Sequence, residues 1–390
     1  MTEPESDADR LVTPAFVALT LSELAYFTAI GILIPVLPLF ATRELAVGAV
    51  AVGIAVGALQ ITALVLRPAA GRAADRWGRR ALMVLGAILL ALGLLAHVAV
   101  SDYWMLLLLR VLLGVADAMF LVASMAALGD LAPESRRGEA MSYSSLGLYL
   151  GIAFGPVLGE YLLSVGGFDL AWVGASGLAL LSALLASQLP ALPGPQESER
   201  GSGLVFRGVV GPSLAFLAGL VGAAGFLGFA ALYARDIGMD GAGRVLFAYG
   251  VTVVVVRLAL AKLTDAVPAY RLSAGSLMVC GLGLLAIGLV SEPVGMYLGA
   301  ILLAVGISFL TPAFFRVLMA RVAPSKRGAA AATFTILVDV GIGGGPILYG
   351  LIARPFGLSA AFAFSAAIAL VAGLVGVVAG RPRSPESTPA

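Results

Sequence analysis

Three carboxylates stand where an ionised side chain is costly. Glu23, Asp117 and Asp339 each lie inside a long apolar run of this 390-residue chain. A charge in such surroundings is expensive and marks a functional position by default. At ~1.5 Å per helical residue, Glu23 and Asp339 fall roughly 16 Å from one end of their runs and Asp117 roughly 20 Å from an end. All three therefore lie near the middle. Desolvation favours the neutral acid, while a neighbouring arginine favours the carboxylate. An acid balanced between the two takes up and releases a proton as its surroundings open and close. Arg110 stands seven residues before Asp117, nearly two turns, and shares its helical face.

The elements that hold these groups must lie in lipid. The chain is 60% hydrophobic and 12% charged, against about 45–50% and about 25% in a soluble domain. That charge cannot coat a water-facing surface, which excludes secreted, nucleic-acid-binding and ordinary cytosolic enzyme classes. A crossing helix needs roughly 20 apolar residues. Apolar runs fall near 12–40, 46–69, 81–100, 103–129, 139–164 and 168–189, then near 209–233, 241–264, 271–290, 294–320, 328–353 and 358–379. The fold expected is all-α and membrane-integral, with twelve spans in two six-helix bundles. Residues 1–189 form the first bundle, 190–207 a Pro-, Gly- and Ser-rich linker and 208–390 the second.

The positive charges orient these spans. Sixteen of the 24 Lys and Arg fall on one side and four (Arg43, Arg235, Arg244 and Arg354) on the other; Arg67, Arg110, Arg257 and Arg316 lie within apolar runs. The positive-inside rule places both termini and the linker in the cytoplasm, as an even number of spans requires. Arg67 and Arg257 sit near the basic ends of their runs, where they can snorkel. His97 lies near the opposite end of its run, in a position that reads as wet and structural. The acidic start of the chain, residues 2–10, is unlike the basic start of a signal peptide. The lone Cys280 allows no disulfide framework, and the absence of asparagine rules out N-glycosylation. Only Lys262 and Lys326 are lysine, a bias that fits a GC-rich, prokaryotic genome.

A shift of 190 residues superposes the halves without a gap. Arg67, Arg72 and Asp75 fall on Arg257, Lys262 and Asp265; Arg137, Gly138, Gly151, Gly155 and Pro156 fall on Arg327, Gly328, Gly341, Gly345 and Pro346. Paired charges and a Gly-Pro step at one constant offset mark an internal duplication. Parallel repeats of this kind build transporters that rock around a midplane site.

Three motifs stand on these repeats. After the second span, Gly71, Asp75, Arg76, Gly78, Arg79 and Arg80 are spaced as G-x-x-x-D-R-x-G-R-R, with glycines suited to tight turns. On the fifth span, Gly147, Gly151, Gly155 and Gly159 recur every fourth residue around Pro156. They form a smooth stripe that lets another helix approach, and Pro156 deletes a backbone donor and is expected to bend the span. The eleventh span repeats this with Gly345 and Pro346. On the fourth span, Arg110 and Gly114 are spaced as R-x-x-x-G.

The first motif resembles the signature loop of the major facilitator superfamily at every defining position. The fifth-span pattern resembles the G-x-x-x-G-P-x-x-G motif of its twelve-span drug/proton antiporters, and the fourth-span pair resembles an element linked there to proton transfer. The resemblance covers essentially the whole chain. It implies alternating access between two bundles, with the signature loop latching the halves on the cytoplasmic side. The second-half copy, Lys262 to Pro268, lacks the glycines and arginine cluster and implies a weaker latch. Spans 1, 4, 7 and 10 line the cavity in this family, so Glu23 and Asp117 are expected to face it. Asp339 ranks below them because its repeat mate is Tyr149.

The expected function is proton-coupled export of amphipathic organic compounds, by a protein that is not an enzyme. Export of one endogenous solute such as a sugar or metallophore, or a symporter, are the nearest alternatives; a non-transporting membrane receptor is disfavoured because it needs no proton carrier. Expected partners are a small-molecule substrate, protons and the lipid bilayer, without nucleic acid, and the protein is expected to be a monomer in the inner membrane. Tyr26, Gln60, Phe226 and Tyr249 are candidate cavity residues. No metal set or cofactor is expected, and the lack of a phosphate-binding Gly-Lys-Ser/Thr loop leaves ATP drive unsupported.

Overall fold

Capping and proline chemistry set the helix starts. Thr13 accepts a hydrogen bond from the Phe16 amide at 3.2 Å to open α1 (Pro14–Arg43). Asp102 accepts from the amides of Trp104 and Met105 at 2.8 and 3.0 Å to open α4 (Tyr103–Leu131). Pro293, which has no amide to satisfy, begins α10 (Pro293–Met319). The structure is a computed structural model that describes residues 11–191, 207–260, 263–320, 322 and 327–379. The linker lies almost wholly outside the described residues, as do the acidic start and Lys262.

The remaining helices are α2 (Ala49–Trp77), α3 (Arg79–Ala96), α5 (Arg137–Ser187), α6 (Arg207–Asp236), α7 (Gly243–Ala259), the single turn α8 (Leu263–Ala266), α9 (Ala269–Leu289) and α11 (Arg327–Ala379). Among the described residues nine helices are long and apolar enough to cross a membrane. α5 and α11 each hold two crossings, and α7, with 17 residues, supplies one more. Twelve crossings result, as the hydropathy pattern requires.

Glycines outside the duplication's motifs make the sharp breaks. α5 folds back at Gly166 and Gly167, the latter at φ +68°, and α11 at Gly357, φ +82°. Gly167 and Gly357 are themselves separated by 190. Left-handed backbone is nearly free for glycine and strained for other residues. Helical dihedrals continue through Pro156 and Pro346, so the break expected beside them falls elsewhere. Gly71 likewise makes no turn: α2 runs on to Trp77, and Gly78, at φ +88°, alone separates α2 from α3.

Within the first bundle α1 packs along α5, and α2 and α3 along α4; within the second, α6 and α9 pack on α11 and α10 on α9. The bundles meet where α2 faces α11, α5 faces α7 and α1 faces α6.

Candidate functional site

The duplication becomes a pair of mirrored contacts between the bundles. At one depth a side chain on Gly53 (α2) would collide with the Pro346 carbonyl (α11), and one on Gly243 (α7) would approach the Pro156 carbonyl (α5) to 3.3 Å. Each partner in the first contact is 190 residues from its counterpart in the second. Towards the arginine-rich end, about four turns along α2 and α7 and about two along α11 and α5, the same symmetry joins Arg67 to Asp339 and Arg257 to Tyr149. Arg67 Nη1 lies 2.6 Å from Asp339 Oδ2, whereas the Arg257 guanidinium carbon stands 4.3 Å from the Tyr149 ring centroid. One inter-bundle contact is thus an ion pair and its mate a cation–π contact. Snorkelling does not describe either arginine, since each turns across the bundle interface.

Asp339 is 2% exposed and also accepts a hydrogen bond from Gln60 Nε2 at 3.2 Å. Asp117 is buried on α4 within electrostatic reach of Arg67, Asp339 and Arg110. The structure therefore gathers two of the three carboxylates, three basic or amide groups and both bundles into one network. Glu23 stands apart. It is 1% exposed and its Oε2 accepts from Ser144 Oγ at 2.7 Å, between α1 and α5. It does not line the inter-bundle chamber, although it lies seven residues, nearly two turns, before the lining Ile30 on the same helix; Ser124 of α4 also donates to its carboxylate.

The stripe permits the packing of α1 on α5. A Cβ on Gly155 would meet Gly31 Cα at 2.5 Å, and one on Gly151 the Phe27 carbonyl carbon at 2.6 Å. Gly159 approaches Ile32, and Gly147 lies 3.4 Å from the Leu24 amide by the same measure. In the second half Gly345 approaches Val221, the repeat mate of Gly31, on α6.

Beside the ion pair, a chamber of about 160 Å³ lies between the bundles. α1, α2, α4, α6 and α11 line it with aliphatic side chains, Gln60 and Arg110. Of the four proposed cavity residues, Gln60 alone belongs to this lining. Tyr26 is fully buried and stacks on Phe120 at 3.8 Å. Phe226 and Tyr249 pack on each other at 5.7 Å within the second bundle. These three rings fill bundle cores.

The signature loop braces the first bundle. Arg79, 3% exposed, donates from Nη1 to Asp75 at 2.8 Å and from Nε to Asp130 on α4 at 3.3 Å. Arg80 donates to the Leu189 carbonyl at 3.1 Å, and Arg76 is exposed. Asp75 thus pairs inside its own half in this conformation. His97 is fully buried, its Nδ1 2.7 Å from the Gly93 carbonyl and its ring 4.7 Å from that of Trp172, so the wet position expected for it is not found.

Glu160 is a functional candidate that motif reading missed. One residue beyond the stripe on α5, its Oε1 accepts from the Ala242 amide at 2.7 Å, and the Gly243 amide also donates to the carboxylate. A carboxylate of one bundle thus caps the α7 N-terminus of the other. It lies in a vestibule of about 580 Å³ that also holds Arg43, Arg235 and Arg244. The available signal was an acid directly after a glycine stripe.

Paired six-helix bundles that share buried charge beside an inter-bundle chamber define a membrane transporter built by duplication. The Major Facilitator Superfamily model matches residues 19–343 and 243–390, and the chain belongs to that family. A Salmonella typhimurium protein described as an uncharacterized MFS-type transporter is 29% identical over 365 residues, covering 90% of this chain and 92% of that one. The fold is similar to a bacterial homolog of the human lysosomal transporter Spinster in an inward-facing, occupied conformation (TM-score 0.79, 17% identity, 96% and 100% covered). It is also similar to the nucleoside transporter NupG (TM-score 0.73, 14% identity, 93% and 99% covered).

Proposed function

We propose that this transporter exports amphipathic organic compounds across a bacterial inner membrane by alternating access, driven by proton entry. Its termini are cytoplasmic by the positive-inside rule. Residues 1–189 and 208–390 are the moving bodies, and 190–207 is the tether between them.

The observation that carries this reading is the Asp339–Arg67 contact. A carboxylate that binds an arginine of the opposite bundle links protonation to bundle separation: neutralising it removes the attraction that holds that interface. Asp117, with Arg110, extends the network towards the first bundle, and Glu23 is a second proton position within it. In this orientation the Glu160 cap and the Gly53–Pro346 and Gly243–Pro156 contacts close the extracellular side. The glycine stripes on α5 and α11 let those spans slide against α1 and α6, and the Asp75–Arg79–Asp130 brace keeps the first bundle rigid and ready to latch when the cytoplasmic side closes.

The test uses purified protein in proteoliposomes with an imposed pH gradient. Addition of a transported amphipathic compound should move protons with the wild type. Asp339→Asn should abolish substrate-dependent proton movement while the protein still inserts. Undiminished coupled transport by that variant would remove the proposed link.

A further inference from the structure

We propose that the inter-bundle chamber takes the anionic group of an amphipathic organic acid onto Arg110. This rests on the transporter reading above and narrows its substrate class. Arg110 is 5% exposed; its Nε donates to the Ala55 carbonyl at 2.9 Å, and its Nη1 has no partner. Among the described residues, Arg67 is ion-paired with Asp339, although its Nε is also without a hydrogen-bond partner, and Arg79 with Asp75 and Asp130, whereas no carboxylate forms an ion pair with Arg110. Asp117 is close enough to act electrostatically, and Asp339 is already held by Arg67 and Gln60. A guanidinium has five donors and stays charged, so an unmatched donor on it is costly when buried.

That cation lines a chamber whose other walls are almost entirely hydrocarbon: Ile30, Leu33, Leu59, Leu227 and Ile342 among them. One anionic group and an apolar body match this lining at both ends. A carboxylate supplies the missing acceptor and charge. A neutral amide supplies the acceptor alone. An ammonium compound meets a like charge in a poorly screened space.

The experiment measures equilibrium binding of radiolabelled 4-phenylbutyrate to the purified full-length protein in lipid nanodiscs, without a proton gradient. Unlabelled 4-phenylbutyrate, 4-phenylbutanamide and 4-phenylbutylamine compete in turn. The acid should compete roughly tenfold or more better than the amide, the worth of one charge-assisted hydrogen bond, and the amine least. Arg110→Gln should remove the preference for acid over amide, and Arg110→Lys should keep part of it. No saturable binding of the acid, equal competition by acid and amide, or an undiminished preference in Arg110→Gln overturns the assignment. The wild-type order decides the matter by itself if the variants fail to assemble. Gradient-driven export of neutral or cationic compounds without acid preference would sink this assignment and leave the export reading standing. Acid preference without proton movement would support it and sink the coupling.

Discussion

At Asp339 the choice of one side chain changes the physics of a whole interface. Its repeat mate Tyr149 makes the equivalent contact without a formal charge, so the two inter-bundle struts respond differently to loss. Removing one partner of a buried pair leaves an uncompensated charge and costs roughly 3 kcal/mol or more. Arg67→Met should therefore lower the unfolding temperature clearly, and Arg67→Met with Asp339→Leu should recover part of the loss. Tyr149→Leu removes a contact worth only about 0.5–2 kcal/mol and should shift the unfolding temperature less. Thermal unfolding in one detergent compares all three; an equal or larger effect at Tyr149 would contradict the asymmetry. For Glu23, whose partners are the Ser144 and Ser124 hydroxyls inside one bundle, Glu23→Gln should keep folding intact and reduce proton-driven transport less than Asp339→Asn does. Reconstituted transport assays rank the two, and the opposite order would make Glu23 the main carrier.

Helices α5 and α11 show that a glycine stripe has two kinds of position. Gly155 sits where a Cβ would lie 2.5 Å from Gly31 Cα, whereas nothing stands within 4 Å of a Cβ on Gly344. Gly155→Leu should push α1 from α5, lower the unfolding temperature and abolish transport. Gly344→Ala should preserve transport and stabilise the helix by up to about 1 kcal/mol, the difference in helical propensity. Transport and melting measurements on both decide the point; a tolerated leucine at 155 would leave the stripe without its packing function. The Gly-Pro steps drew attention as hinges, yet the chain bends at Gly166–Gly167 and Gly357. Periodicity marks a face that packs, whereas a bend needs backbone dihedrals that no residue pattern here displayed.

For the molecule as a whole, side and gate are the testable quantities. A cysteine near Arg136 should react with thiol reagents from the cytoplasm and one near Asp169 only from outside; reversed labelling would invert the proposed orientation. Glu160→Ala removes an acceptor shared by two α7 amides and should loosen the extracellular closure. Leu39→Cys, buried beside the vestibule at 4% exposure, should then label from outside several-fold faster in the Glu160→Ala background. An unchanged rate would mean that the glycine contacts alone seal that side.

Hydropathy and charge determined the twelve crossings, the all-α class and the arginine-rich side, because lipid demands long apolar helices whose backbone bonds close internally. The constant offset of 190 determined that the halves are repeats, since both copies obey one local geometry. Tertiary structure alone decided which residues those repeats bring together. Arg67 and Arg257 read as helix-end charges until α2 was laid against α11 and α7 against α5. Glu23 read as a cavity acid, and packing gave it hydroxyl partners, Ser144 on α5 and Ser124 on α4. A buried helix is apolar all round, so its sequence does not say which face meets the other bundle. That choice follows from side-chain packing between distant segments, and it is this packing that placed Gln60 and Arg110 in one chamber and Asp339 against Gln60.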